Sequence, residues 1–88
     1  MLFSVRISRQ ADKTMATAPR AIQQKFALLL EDLGKKGPIR KDWPNFSALG
    51  ADRYHCHLSY SWVAVWRNKK GTILVEVEYA GSRESAPY

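Results

Sequence analysis

Residues 54–79, YHCHLSYSWVAVWRNKKGTILVEVEY, decide how this chain folds. Three runs within them alternate with period two, the mark of half-buried strands. In the first, Tyr54, Cys56 and Leu58 fall on one side and His55 and His57 on the other. In the second, Trp62, Ala64 and Trp66 oppose Val63, Val65 and Arg67. In the third, Ile73, Val75, Val77 and Tyr79 oppose Leu74, Glu76 and Glu78. Short turns join the runs into a meander, the second of them through Lys69, Lys70 and Gly71.

Upstream, LFSVRIS alternates as well, with Phe3, Val5 and Ile7 against Ser4 and Arg6. RQADKTMATAP predicts a short helix that Ser8 or Asp12 can cap. Pro19 suits the first turn of a second helix, with Thr17 before it as a cap. There Ile22, Phe26, Leu29, Leu30 and Leu33 make one apolar stripe of helical period. Gly34 or Gly37 stops the helix, and Pro38 reinforces the stop. PIRKDWPNFSALGADR reads as a loop pinned to the body by Trp43 and Phe46. The order β-α-α-β-β-β predicts an α+β fold: an antiparallel sheet with two helices packed on one face. No linker or repeat divides residues 1–88, which therefore read as a single domain.

Composition narrows the partners. Fourteen Lys and Arg face eight Asp and Glu, a net charge of +6 that favours polyanions. The 45% apolar content excludes a disordered chain. Cys56 is the only cysteine, so an internal disulfide is excluded. In His55-Cys56-His57 the thiol and imidazoles alternate across a strand, which does not close around one zinc ion; no metal site is expected. No apolar run reaches the ~18 residues of a membrane span, and MLFSVRISRQ lacks a signal-peptide core. A cytoplasmic protein with no membrane and no cofactor is the expectation.

The two helices cover one sheet face, where Tyr54, Leu58, Trp62, Trp66, Val75 and Val77 belong. The other face collects His55, His57, Arg67, Glu76 and Glu78, and the tail adds Arg83 and Tyr88. Cleaving RNA without metal needs a base for the 2′-hydroxyl, a cation for the phosphorane and an acid for the 5′-oxygen. Histidine, arginine and tyrosine supply these roles. A plain structural reading competes: solvent-facing histidines, a cross-strand pair of Arg67 with Glu76 or Glu78, and a loose tail.

Almost the whole chain resembles the RelE/ParE superfamily of bacterial toxins from toxin–antitoxin pairs. Tyr54-His55-Cys56-His57-Leu58 matches a first strand pattern, Trp62 to Arg67 a second, and Gly81, Arg83 and Tyr88 a strand ending in Gly-x-Arg with a later aromatic. The CHLSYSW stretch is most similar to the YafQ-type branch, in which the histidine matching His57 belongs to the active site. Three positions depart from the pattern. Val63 stands where RelE-type enzymes carry an arginine, Ser61 where YafQ-type toxins carry an aspartate, and Arg83 where they carry a late histidine.

The resemblance implies a type II toxin: a metal-independent endoribonuclease that cuts mRNA in the ribosomal 30S A site, arresting translation and growth. It also implies a cognate acidic antitoxin as partner and no small-molecule cofactor. On this pattern His57 is the principal acid or base and His55 assists it. Arg83 and Arg67 hold the phosphate, and Tyr88 stacks or donates. Arg40, Lys41, Lys69 and Lys70 extend the RNA-binding surface. ParE relatives share the fold but poison DNA gyrase, so a gyrase inhibitor, or a degenerate module that only binds antitoxin, is the competing reading.

Overall fold

The helical stripe and the alternating runs meet in a single core. The computed structural model describes residues 2–88. Its elements are β1 (Ser4–Ile7), α1 (Arg9–Ala16), α2 (Arg20–Lys36), β2 (Ser47–Ala48), β3 (Arg53–His57), β4 (Trp62–Arg67) and β5 (Leu74–Ser82). The sheet order is β1-β5-β4-β3-β2. Ala11 and Met15 of α1 and Ile22, Phe26, Leu29 and Leu33 of α2 pack on Cys56, Leu58, Ala64, Trp66, Val75, Val77 and Ala80. The α+β arrangement, with both helices on one sheet face, is as expected.

Four details differ from the sequence reading. β1 lies beside β5 and runs parallel to it, so the sheet is mixed rather than wholly antiparallel. The helices between β1 and the meander make that crossover, which a hairpin cannot. The 38–53 loop contains the short strand β2, paired to β3 through Ser47–His55 and Ala48–Tyr54. Thr17 closes α1 instead of opening α2, whose N-cap is Pro19. Gly34 stays helical, and its carbonyl accepts the Phe3 amide at 2.7 Å. The stop is Gly37 at φ 92°, where an added Cβ would lie 2.8 Å from the Phe3 ring. A side chain there meets both a left-handed backbone and an aromatic wall.

The fourth difference decides the site. The β4–β5 register pairs Val65 with Tyr79 and Trp66 with Val77, leaving Glu78 as an extra residue. This bulge shifts the alternation by one. Val75 and Val77 face the helices as expected, but Tyr79 turns to the histidine face. Beyond the bulge, Ala80 returns to the core, fully buried.

Loops and edges are anchored by named contacts. Trp43 and Phe46 pin the 38–53 loop as expected: Trp43 Nε1 donates to Asp32 Oδ2 at 2.8 Å, and Phe46 stacks on Tyr54 at 5.8 Å. Trp66 Nε1 donates to the Pro38 carbonyl at 2.9 Å, satisfying the one polar atom of a fully buried indole. Ser8 caps α1 by accepting from the Ala11 amide at 3.1 Å, and its hydroxyl donates to the Glu78 carbonyl at 3.0 Å. Past Val77, where β1 stops pairing, the Gln10 amide side chain bonds both the N–H and the carbonyl of Ala80 at 3.3 Å. The first turn of α1 therefore covers the open edge of β5 and fixes the approach to Gly81 and Arg83.

Candidate active site

The face away from the helices is drier than alternation alone suggests. Val63 and Val65 are fully buried there, and His55 is only 9% exposed. Over His55 the cover is the C-terminal segment. After β5 the Arg83 amide donates to the Ser61 carbonyl at 2.8 Å, and the Ala86 amide donates back to the Arg83 carbonyl at 3.3 Å. The Ser85 amide meets Ser82 Oγ at 3.3 Å. This turn folds the tail over the sheet and sets the Tyr88 ring 4.6 Å from the His55 ring, centroid to centroid, at 49°. The His57 ring lies 5.8 Å from that of His55 on the same strand face. Tyr79, delivered by the bulge, bonds the Ser82 carbonyl through its hydroxyl at 2.8 Å. An added Cβ on Gly81 would sit 2.8 Å from that hydroxyl, so glycine is what lets the Tyr79 ring lie along the strand.

His55, His57, Arg83 and Tyr88, which the sequence reading grouped, stand together at one end of the sheet. Their protonation follows from the packing. Burial lowers the His55 pKa below 6.5, the neighbouring His57 lowers it further, and hydrogen bonding to the Ser47 backbone works the other way. Ser47 Oγ and His55 Nδ1 are 2.9 Å apart. Burial and then the Arg83 charge hold His57 below 6.5. Both imidazoles are therefore mainly neutral at pH 7 and able to accept a proton. Burial raises the Tyr88 phenol above 10.0; Arg83 opposes that, and Tyr79 and Cys56 add to it. Cys56 lies on the core side between the histidines, its thiol pushed up to about 12 by burial and by Asp42. It is inert as nucleophile or ligand. Among the described residues, no three His, Cys, Asp or Glu side chains converge as a metal site.

The remaining expected residues are elsewhere. Arg67 shares the histidine face but pairs with Arg53, four register steps from the His57–Val63 pair, about 13 Å along the strand. Its Nε lies 3.8 Å from Glu78 and 3.9 Å from Asp52, so the cross-strand ion pair is the reading that fits. Arg40 is buried, with Nε donating to the Gly37 carbonyl at 3.0 Å and NH1 to Asp42 at 3.1 Å. It holds the exit of α2 and presents no free fork to a phosphate. Lys69 and Lys70 are exposed on the β4–β5 turn, at the far end of the hairpin from Arg83. Lys41 is exposed on the loop beside Arg40.

A groove of about 610 Å³ opens next to His57 and contains residues the sequence reading passed over. Lys25, Pro44, Asn45, Leu58, Ser59, Tyr60 and Arg83 line it together with His57. The Arg83 guanidinium stands 5.3 Å over the Tyr60 ring. Tyr60 continues the Leu58–Trp62 alternation and so looks like a core residue, yet it occupies the turn and is 81% exposed. Lys25 carries no local signal; only the packing of α2 under the β3–β4 turn brings it here.

No protein-family model matches the sequence, and no curated protein matches it. Solved structures do. The E. coli DinJ–YafQ toxin–antitoxin complex contains a chain that superposes with TM-score 0.77 at 14% identity, covering 100% of both chains. The archaeal RelE–RelB complex from Pyrococcus horikoshii OT3 gives 0.76 at 17% identity, over 98% of this chain and 100% of that one. The YoeB dimer from Staphylococcus aureus gives 0.72 at 11% identity, over 92% and 97%. Superposing over nearly their full length on chains of these complexes, these residues have the fold of the RelE-like toxins.

Proposed function

We propose that this protein is the toxin of a type II toxin–antitoxin pair and that it cuts mRNA on the ribosome, acting in the cytoplasm. One observation carries the reading: His57, Arg83, His55 and Tyr88 converge at one end of the sheet, while Arg53 and Arg67 toward the other end are paired with carboxylates. Neutral His57 accepts the 2′-hydroxyl proton. The 2′-oxygen then attacks the adjacent phosphorus, and Arg83, which forms no ion pair among the described residues, stabilises the added charge. The bond to the 5′-oxygen breaks, leaving a 2′,3′-cyclic phosphate. The leaving oxygen takes a proton from Tyr88, whose phenol is protonated at neutral pH. His55, buried and bonded to Ser47, backs the Tyr88 ring and keeps it at the phosphate.

The similar RelE and YafQ chains were solved in complexes with RelB and DinJ. A corresponding antitoxin for this +6 chain supplies an acidic segment that covers the basic groove. The test is expression of the chain alone in bacteria. Growth stops, protein synthesis falls before DNA synthesis, and primer extension on cellular mRNA finds new 5′ ends that depend on translation. DNA synthesis failing first, with no new mRNA ends, would instead indicate a gyrase poison.

A further inference from the structure

We propose that Tyr60 is the stacking platform of a nucleotide subsite beside His57, with Lys25 holding the next phosphate along the strand. The proposal takes single-stranded RNA as ligand from the nuclease reading above. The rest comes from the turn and the groove.

The exposure of Tyr60 does not come from a loose loop. The Leu58 amide donates to the Trp62 carbonyl at 2.7 Å, the Ser59 amide to the same carbonyl at 3.2 Å, and the Arg83 amide to Ser61 at 2.8 Å. The backbone on both sides of Tyr60 is thereby tied down, and the ring retains only two rotatable bonds. A rigid, wet aromatic loses little entropy when a base settles on it. Arg83 stands over the ring at 5.3 Å, and at 81% exposure the ring keeps open area for a base. A guanidinium beside a tyrosine extends the flat cationic surface that bases stack on.

The groove is shaped for the rest of the nucleotide. Its far wall is Pro44–Asn45, fastened by the His57 amide donating to the Pro44 carbonyl at 2.8 Å. Asn45 offers both a donor and an acceptor to a base edge. Lys25 reaches the same groove from α2 and forms no ion pair among the described residues. Arg83 links the two functions. The guanidinium that neutralises the reacting phosphate also flanks Tyr60, so the stacked base belongs to a nucleotide next to the scissile bond.

The probe is a short fluorescent single-stranded RNA titrated against the His57→Ala chain, with binding read by anisotropy. Tyr60→Leu weakens binding roughly tenfold or more, while Tyr60→Phe and Tyr60→Trp bind like the parent. Lys25→Gln weakens it severalfold and lowers the salt slope by about one counterion. Removing one base from the RNA, at one position only, cancels the Tyr60→Leu loss. Unaltered melting temperatures are expected for all, because these side chains lie on the surface. The subsite is overturned if Tyr60→Leu binds as tightly as the parent, if its loss persists at every abasic position, or if the parent binds no RNA. The two readings fail separately. Cleavage by Tyr60→Leu with unaltered KM sinks the subsite and leaves the nuclease. Base-dependent binding by a wild-type chain that cuts no mRNA does the reverse.

Discussion

At one end of the sheet Arg53 and Arg67 are paired with carboxylates; at the other, Arg83 stands over a tyrosine and forms no ion pair among the described residues. Arg53 Nε bonds Glu78 at 2.6 Å, and Arg67 lies 3.8 Å from Glu78 and 3.9 Å from Asp52. Arg83 has the Tyr60 ring at 5.3 Å and lowers the pKa of His57. Both ends lie on one face, built from the same strands and residue types. The β5 bulge accounts for part of the difference: it sends Tyr79 toward the tail. Glu78, on this face by simple alternation, neutralises the two arginines at the other end. Charge on a sheet face is thus not a binding signal until its partners are known.

The largest test of that contrast removes the acting groups. His57→Ala reduces mRNA cleavage on the order of 10²-fold or more, the usual scale for a general base, with an unaltered melting curve. Arg83→Gln reduces it by roughly 10²-fold, the scale of one lost donor to a developing oxyanion. Arg67→Gln leaves the cleavage rate near wild type. Equal losses at Arg83 and Arg67 would show that the two ends act as one surface and would break the comparison.

Tyr88 comes next. Its ring rests on His55 at 4.6 Å while the residue remains 52% exposed, so little of the core depends on it. Tyr88→Ala lowers cleavage by about tenfold or more without lowering thermal stability. Tyr88→Phe separates the roles: a loss as large as that of Ala assigns the work to the hydroxyl, and retained activity assigns it to stacking. Truncation after Ala86 that leaves cleavage intact would remove the tail from the site and return the case to His57 and Arg83.

These residues also mark what the sequence made legible. Alternation in β3 separates Cys56 and Leu58 from His55 and His57, and the structure keeps that division. The same alternation misplaces Tyr79, because Val-Glu-Val-Glu-Tyr continues unbroken through the bulge and nothing local announces an extra residue. Arg67 is on the expected face, but its distance from His57 is a matter of register, which no single strand encodes. Arg40 stands among charged loop residues and looks solvated; only the fold shows that its guanidinium closes the end of α2. Lys25 and Tyr60 join the groove through tertiary contact between a helix and a turn. The tail was readable for another reason. Pro87 and a terminal aromatic behind Gly-x-Arg form a pattern, and the docked Tyr88 ring agrees with it.

At the neutralised end the expected effects are on stability. Arg53→Met removes a charge-assisted bond from Glu78 and leaves that carboxylate half-buried against Arg67 alone. The loss is about 1–2 kcal/mol, read from denaturant unfolding, with RNA cleavage by the folded fraction unaltered. Arg67→Gln touches only contacts near 4 Å at a more exposed position and shifts stability by about 0.5 kcal/mol or less. If Arg53→Met instead abolished cleavage without unfolding the chain, the paired end would be part of the site.

The smallest effect is the most local. His57 is held below 6.5 first by burial and then by Arg83. An imidazole whose folded pKa is depressed contributes stability that is complete above its unfolded value near 6.5 and is lost as pH falls through the folded value. Acidification below pH 6.5 should therefore lower the melting temperature, and the same protonation removes the base and gives the rate an acid limb. Arg83→Gln takes away one of the two causes. The His57 pKa then rises toward, but not up to, its ordinary value, because burial remains. Arg67→Gln leaves it in place, since that cation is four register steps away and already paired. Imidazole proton shifts followed by NMR across pH 5–8 measure both variants in the same titration. An upward shift in Arg83→Gln alone confirms that Arg83 is the charge His57 feels. No shift in either variant would mean that packing by itself keeps the imidazole neutral, and Arg83 would then act on the substrate without tuning the base.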